Sequence, residues 1–483
     1  MAAPPELVDD LVEEVLLRIP PDDPASLARA ALVSRRWYRV AAGRSFRRRF
    51  RERHRRAAPP VLGLLCNLGG GGGGGDDARA SRLVPTSSSR PAAAARRGDA
   101  RSSAFVPTST FRPPSAAAGP GWRVLDARHG RVLLANQVWE KRPVHDALVV
   151  WDPVTGDRLE LPELPRHMET SPWTSWNAAV LCAAGRRLPV DRQQGRLVTI
   201  NFPFGMPSTG WKPLRWPPLH AHEPPGSSTA GAGDDGCCDH IDCRRGSFLV
   251  ALVGVNGVEV FGHVYSSEIG DWSMPSSCFE LADLDCMAHS ALVGNAVYFK
   301  CEMKLGLRFR THKILKYDLS THKMSMTHLP YDLGMRTMYV DCLPPGPCCN
   351  YGDRVVLMTT EEDDAGLGFA TVHDFKLHLW AREVGPDYEG WAARRVIDLA
   401  KLIPTDALSA SPELVGSVDG GEVFFVLTVN GLFAINLRTS QVRKVHGSSG
   451  IRSAVPYTNF CTPGIYSSSI HHTYYGVMIG SLQ

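Results

Sequence analysis

The densest group of possible metal ligands is the run Cys237-Cys238-Asp239-His240, followed by Cys243. Thiolate and imidazole are ligands that zinc prefers, and a loop would let them converge on one ion. A zinc finger needs a second Cys or His pair at short spacing, and His263 and Cys278 are too distant and follow no such pattern. We therefore predict reduced or disulfide-linked loop cysteines, with zinc as the alternative. The group from Cys342 to Cys349 is interpreted in the same way, and no metal is assigned.

Patterns for nucleophilic or phosphate chemistry do not emerge. The chain has 17 histidines, but none of them lies in a catalytic motif with a Gly-x-Ser-x-Gly elbow. The seven consecutive glycines Gly69–Gly75 lack the lysine and helix that complete a phosphate-binding loop. The sequence therefore predicts no catalytic residue and no cofactor.

Positive charge is concentrated at the N-terminus. Residues 1–56 hold 13 Arg and no Lys against 8 acidic residues, whereas the rest of the chain has 40 basic and 41 acidic residues. Eight of the arginines lie in Arg44–Arg56, where Phe46 and Phe50 are spaced to share one helix face. Two aromatics are too few for base stacking, which argues against nucleic-acid binding. A solvated helix face is the main interpretation, and a nuclear-import patch is the alternative.

Three short helices are predicted before this run. Apolar residues between Leu7 and Ile19 recur at helical spacing, and Pro20-Pro21 ends the pattern. Asp23-Pro24 is a good start for a second helix, and Ser34 can cap a third. A unit of this size buries little core and so needs a partner surface.

The next segment, 67–104, has low complexity and is predicted to be a flexible linker, because it lacks the apolar surface that would offset ordering entropy. No apolar run in the chain reaches the length of about 18–20 residues that a membrane span requires. The N-terminus also lacks the basic and apolar regions of a secretory signal. We expect a cytoplasmic or nuclear protein, or one found in both compartments.

From residue 121 the chain consists of short β-type runs. Related units start near residues 130, 177, 246, 294, 352 and 421. A turn of the form hydrophobic–Asp/Asn–x–x–Thr follows Trp151, Tyr317 and Ile435, where the Asp or Asn side chain can bond its own downstream backbone. Repeats of this length with about four strands each are typical of a β-propeller. A repeated β-sandwich is the weaker alternative, because the periods are too short for seven strands.

The first segment resembles an F-box. The resemblance rests on Leu7-Val-Asp-Asp-Leu11, Glu13-Glu-Val-Leu16, Arg18-Ile-Pro20, Ser26-Leu-Ala-Arg-Ala30 and Val33-Ser-Arg-Arg-Trp37. Val8 stands where the family usually has Pro. The region from residue 105 is similar to the kelch-related propellers of plant-type F-box proteins. The similarity rests on short sequence motifs such as Phe105-Val-Pro-Thr-Ser109 and Trp151-Asp-Pro153.

The resemblance implies docking on a Skp-type adaptor and, through it, on a cullin, with the propeller selecting an unknown target protein. By position, the residues shared between that interface and the local core would be Leu7, Val8, Leu11, Val15, Leu16, Ile19, Leu27 and Trp37. We assign Leu7, Val8 and Leu11 to the interface and expect Trp37 to be mostly core, since a buried indole N–H needs a partner.

The sequence thus predicts a multidomain chain in which a small all-α F-box of three short helices precedes an all-β propeller of about six to seven blades. The predicted boundaries are 5–56 for the F-box, 67–104 for the linker and 105–483 for the propeller. The predicted function is substrate recognition in a Skp–cullin–F-box ubiquitin ligase, without catalysis by this chain. Two alternatives stay open: a propeller enzyme, such as an oxidase or a sugar-acting enzyme, and an F-box scaffold outside the ligase.

Overall fold

The fold is seen in a computed structural model. It describes residues 8–54, 60–68, 104–109, 111, 113, 122–136, 148–163, 175–184, 243–256, 259–279, 283–285, 288–305, 309–330, 354–360, 366–384, 389–447 and 450–462. Among these residues, no helix combines the length and the apolar character that crossing a membrane would need.

The N-terminal unit consists of four helices. They are α1 (Asp9–Leu16), α2 (Pro24–Leu32), α3 (Arg35–Ala42) and α4 (Arg44–His54). The predicted caps form: the Asp23 side chain accepts from the Ser26 N–H at 3.2 Å, and Ser34 Oγ accepts from the Trp37 N–H at 3.1 Å. The arginine run forms the fourth helix, and Phe46 and Phe50 are buried on its inner side as their spacing predicts.

The β-domain is a six-bladed propeller, as predicted. Blade 1 contains β1 (Val61–Leu68), β2 (Ala104–Pro107) and β25 (Ile451–Thr458). Blade 2 contains β3 (Trp122–Arg128), β4 (Arg131–Asn136), β5 (Leu148–Trp151) and β6 (Arg158–Glu160). Blade 3 contains β7 (Ser175–Cys182), β8 (Phe248–Val255), β9 (Glu259–Ser266), β10 (Asp271–Trp272) and β11 (Ser276–Phe279).

The remaining blades follow in chain order. Blade 4 contains β12 (Asp283–Leu284), β13 (Ala291–Val293), β14 (Ala296–Leu305), β15 (Phe309–Asp318) and β16 (Lys323–His328). Blade 5 contains β17 (Val356–Thr359), β18 (Leu367–His373), β19 (Lys376–Val384) and β20 (Glu389–Asp398). Blade 6 contains β21 (Glu413–Ser417), β22 (Val423–Thr428), β23 (Gly431–Asn436) and β24 (Gln441–His446).

Apolar packing lies between the blades. Successive side chains of a strand point to opposite faces of its sheet. In β1, Leu65 packs toward blade 2 with Val124, while Leu64 packs toward blade 6 with Val415. Six such clusters, one for each pair of neighbouring blades, form the core. Both faces of each sheet are therefore buried, which explains strands such as β8 that are apolar along almost their whole length.

Blade 1 joins the two ends of the domain and corrects the predicted boundary. Strand β1 pairs with both β2 and β25, so the propeller includes residues 61–68, whereas the sequence predicts a start at residue 105. The predicted linker is therefore inserted between two strands of one blade; most of it, 69–103, lies outside the described residues. Gly63 has no side chain here because an added Cβ would overlap the ring of Phe105.

Polar side chains link neighbouring blades. The Asn67 amide of blade 1 binds both backbone groups of Val124 in blade 2, with Nδ2 donating to the carbonyl at 2.8 Å and Oδ1 accepting at 3.0 Å. Asp126 Oδ2 accepts from the Val180 N–H of blade 3 at 2.9 Å. Asn177 Nδ2 in blade 3 donates to the Asp285 carbonyl of blade 4 at 3.0 Å. Among the described residues no backbone ladder joins one blade to the next, so these side chains supply hydrogen bonds between blades.

The predicted Asp/Asn turns are confirmed between the two outer strands of three blades. In blade 4, Asp318 Oδ1 accepts from the Ser320 and Thr321 N–H groups, both at 3.0 Å. Asp152 and Asn436 accept in the same way from the residues two and three positions later. Hydrogen bonds to the carboxylate lower the pKa of Asp318, although partial burial opposes them.

Candidate functional site

Helix α1 presents two apolar faces. Val12 and Leu16 are one turn apart and fully buried in the helical core. Val8, Leu11 and Val15 lie on another face and are 57%, 52% and 49% exposed. Exposed large apolar side chains grouped on one short helix are typical of a binding surface.

The end of α2 adds two more exposed apolar side chains. Leu32 is 44% exposed and Val33, directly after the helix, is 67% exposed. We call Val8, Leu11, Val15, Leu32 and Val33 the exposed apolar set. Leu32 and Val33 are not recognisable as surface residues from the sequence, because their helical spacing fits a core position equally well.

The other predicted interface residues have different positions. Leu16 and Leu27 are fully buried in the helical core, so they support the surface from within. Ile19 and Trp37 pack partly buried against the same core. Leu7 lies outside the described residues.

Part of the arginine run is paired with acidic residues of α1. Arg49 lies 2.9 Å from Glu13 and Arg53 lies 3.2 Å from Glu14, both from α4. Arg36 of α3 contacts Asp9 at 2.5 Å. Exposed ion pairs contribute only about 0–1 kcal/mol each. Their role here is to hold the acidic face of α1 toward α3 and α4, which agrees with the interpretation of this run as a helix face.

The propeller offers no metal centre among its described residues, which contain no group of three or more His, Cys, Asp or Glu side chains able to hold an ion. Cys243 is buried, and the rest of its predicted cluster lies outside the described part of the chain. Trp176 is buried, with Arg123 stacked 4.9 Å from its ring, and so packs between blades 2 and 3.

The hairpin between β18 and β19 carries an aromatic residue that the sequence did not single out. Asp374 and Phe375 both adopt positive φ, at 47° and 59°. Such turns normally use Gly or Asn, so the sequence carries no signal for this one. Phe375 is strained in this region and is still 37% exposed at the tip of the hairpin.

The two ends of the propeller have different neighbours. Val61 pairs with Thr458, so the chain enters β1 where β25 ends. The Tyr457 hydroxyl donates to the Gly130 carbonyl at 3.4 Å, which places the end of β3 at the same face. The described hairpin between β18 and β19, which carries Phe375, and the one between β22 and β23 lie on the opposite face. Among the described residues, the helical unit therefore lies next to the face where β3 and β25 end, and Phe375 lies on the other face.

Comparison with protein families identifies the helical unit. Residues 10–53 match the family model described as F-box-like, a range that runs from the second residue of α1 to the penultimate residue of α4. No curated protein matches the chain.

Solved structures show similarity to the chain at low identity. The α-L-arabinanase of Penicillium chrysogenum with arabinobiose shares 9% identity, with 70% of this chain and 82% of that chain covered and a TM-score of 0.32. The WD40 domain of SCAP from fission yeast shares 9%, with 68% and 53% covered and a TM-score of 0.30. AofleA from Arthrobotrys oligospora shares 8%, with 69% and 73% covered and a TM-score of 0.32. Similarities this weak give no information on activity.

Proposed function

We propose that this chain is the substrate-recognition subunit of a Skp–cullin–F-box ubiquitin ligase. The observation that carries the proposal is the exposed apolar set, four of whose five members lie within the residues that match the F-box-like family. A helical unit with apolar side chains at its surface gains stability by burying them against a partner, at about 25 cal/mol per Å² of apolar area. The partner of this chemistry is a Skp-type adaptor, which in turn binds a cullin.

The propeller is proposed to bind the target protein through loops on the face away from the helical unit. Phe375 is an aromatic side chain exposed on that face, and aromatic residues often dominate binding energy at interfaces. In this role the chain forms and breaks no bond itself. Holding a target lysine near the conjugating enzyme raises its effective concentration, which is sufficient to increase the rate of transfer. The kelch-like, plant-type character and the cytoplasmic or nuclear location remain predictions from the sequence.

Co-purification with a Skp-type adaptor tests the proposal. The variant Leu11→Asp/Val15→Asp places two charges in the apolar surface, and the matched control Val384→Asp alters a 74%-exposed apolar residue of the propeller. Burying an unpaired charge costs several kcal/mol, so we expect adaptor affinity to fall by about 100-fold or more in the double variant. The control should bind as the parent does, and thermal unfolding should show that both are folded.

If neither the parent nor the control binds the adaptor, the docking role is refuted. Equal binding by the parent and the double variant would place the interface elsewhere. If the adaptor complex forms but does not assemble with cullin, the chain acts as an F-box scaffold outside the ligase.

A further inference from the structure

Two consecutive residues after β25 belong to different cores. Phe460 packs with the helical unit, edge-on to Phe50 with ring centroids 6.3 Å apart and planes at 89°. The guanidinium of Arg51 lies 5.4 Å from the centroid of the Phe460 ring. Cys461 is buried in the cluster between blades 1 and 2, where Tyr457 also packs. One peptide bond therefore joins the core of the helices to the core of the propeller.

Hydrogen bonds connect the residues after β25 to the chain just before β1 and to blade 2. The Asn459 N–H donates to the Pro60 carbonyl, just before β1, at 3.4 Å. Asn459 Nδ2 donates to the Tyr457 hydroxyl at 3.3 Å, and that hydroxyl donates to the Gly130 carbonyl of blade 2 at 3.4 Å. Thr462 is also buried. We call Asn459–Thr462 the bridging segment.

The bridging segment supplies a second connection between the helical unit and the propeller. The first is the covalent path from α4 to β1. A unit attached at one point can pivot about it, whereas a second attachment on a different element restricts the rotation. Phe460 is nearly fully buried, and its ring sits in an apolar contact with α4, on the side of the helix that faces the core. Loss of that ring would expose Phe50 and remove the second attachment.

We propose that Phe460 is a positioning residue that fixes the orientation of the helical unit on the propeller. The role rests on the proposed function in one respect: a fixed orientation sets where a bound target lies relative to a bound adaptor. The physical claim itself concerns only this chain and can be tested without a partner.

The test measures the distance between the two units in the full chain. Spin labels or fluorophores are introduced at Asp22, exposed between α1 and α2, and at Lys401, which is 81% exposed after β20. We expect a single narrow distance distribution in the parent and a broader, shifted one in Phe460→Ala. Phe460→Leu, which keeps much of the apolar volume, should lie between the two. The control Val429→Ala truncates a 46%-exposed apolar side chain in the hairpin between β22 and β23 and should leave the distribution narrow.

An unchanged, narrow distribution in folded Phe460→Ala would overturn the proposal. Adaptor capture is measured separately on the same variants. Phe460 contacts α4 and not the exposed apolar set, so Phe460→Ala should capture adaptor as the parent does. A parent that binds no adaptor but loses its fixed distance in Phe460→Ala would refute the proposed function and leave the positioning role standing.

Hydrogen exchange on the unaltered chain gives a second measurement if Phe460→Ala fails to fold. Amides of α4 and of the bridging segment should open together, with the same free energy, because each covers the other. Exchange of the α4 amides while the bridging segment stays protected would show that the two are not coupled and would overturn the proposal.

Discussion

Arg128 of blade 2 binds Ser290 of blade 4 across the centre of the propeller. Its guanidinium donates to Ser290 Oγ at 2.9 Å and also to the Ser290 carbonyl oxygen. The same group contacts Asp126 at 2.5 Å and lies 3.7 Å from Asp419 of blade 6. One side chain therefore connects three alternate blades, at the face next to the helical unit.

Loss of this guanidinium should destabilise the propeller strongly. In Arg128→Met the carboxylate of Asp126 stays buried without its partner, and removing one member of a buried pair costs about 3–5 kcal/mol. Arg128→Met/Asp126→Asn removes both charges and should recover part of that loss. Denaturant unfolding of the two variants and the parent measures the difference. A double variant no more stable than Arg128→Met would mean that the unpaired charge is not the cause.

The hydrogen bonds from the Asn67 side chain to the Val124 backbone should stabilise the contact between blades 1 and 2. Asn67→Ala removes the two side-chain hydrogen bonds to the backbone N–H and C=O of Val124, each at a cost of about 1–3 kcal/mol. Ser453→Ala removes only the hydroxyl that accepts from Asn67 Nδ2 at 2.9 Å, and should cost about 1 kcal/mol. Hydrogen exchange at the Val124 amide reports the effect directly. If that amide stays protected from exchange in Asn67→Ala, the hydrogen bond from Asn67 is not the cause of its protection.

Stability should depend on pH through His289. Burial, together with the nearby charge of Arg128, lowers the pKa of His289 from 6.5 to about 4, and the Ala454 backbone and Asp285 oppose the shift. The folded state therefore keeps this imidazole neutral, while the unfolded chain takes up a proton below pH 6.5. The stability due to His289 is complete above pH 6.5 and declines toward pH 4, by up to about 3 kcal/mol.

A comparison with His289→Gln isolates this effect. Burial raises the pKa of Asp126 to about 6, although Arg128 opposes the rise. Its contribution therefore changes with pH in the opposite direction, but it is common to parent and variant. Unfolding free energies are measured from pH 4 to pH 7. As the pH falls, the free energy of unfolding of the parent should decrease relative to that of His289→Gln. A constant difference would show that His289 titrates normally.

The two faces of α1 should respond differently to truncation. Leu16→Ala opens a cavity in the helical core and should cost about 2–5 kcal/mol, whereas Leu11→Ala alters an exposed residue and should change stability by less than about 0.5 kcal/mol. Hydrogen exchange of the helical amides measures both. Similar losses in the two variants would contradict the assignment of Leu11 to the surface.

The exposure of Leu11 and the burial of Leu16 show the limit of what helical spacing alone can predict. The caps at Asp23 and Ser34 and the inward side of Phe46 and Phe50 follow from local chemistry, and they were predicted correctly. The division of α1 into an exposed and a buried face depends on where α3 and α4 pack, and no local pattern contains that information. The F-box resemblance assigned Val8 and Leu11 to the interface, and both are exposed, whereas it did not separate the exposed Val15 from the buried Leu16.

Blade assignment shows a similar limit. The predicted unit starts near 177 and 246 fall in β7 and β8, which pair in a single blade, with residues 185–242 between them. Blade 1 matched no predicted unit, because its strands come from opposite ends of the chain. The count of six starts equals the count of six blades only because these two differences cancel. Phe460 was missed for the same reason, since its partners Phe46 and Phe50 are remote in sequence.

The position of β25 also has a consequence for synthesis. Asn67 and Ser453, which meet in blade 1, are 386 residues apart. At about 5–20 residues per second, a ribosome needs roughly 20–80 s to make the intervening chain. During that interval the apolar strand β1 has no inner partner and the helical core has no Phe460. The nascent chain therefore presents an unfinished sheet edge that a chaperone binding extended apolar segments can hold until translation ends.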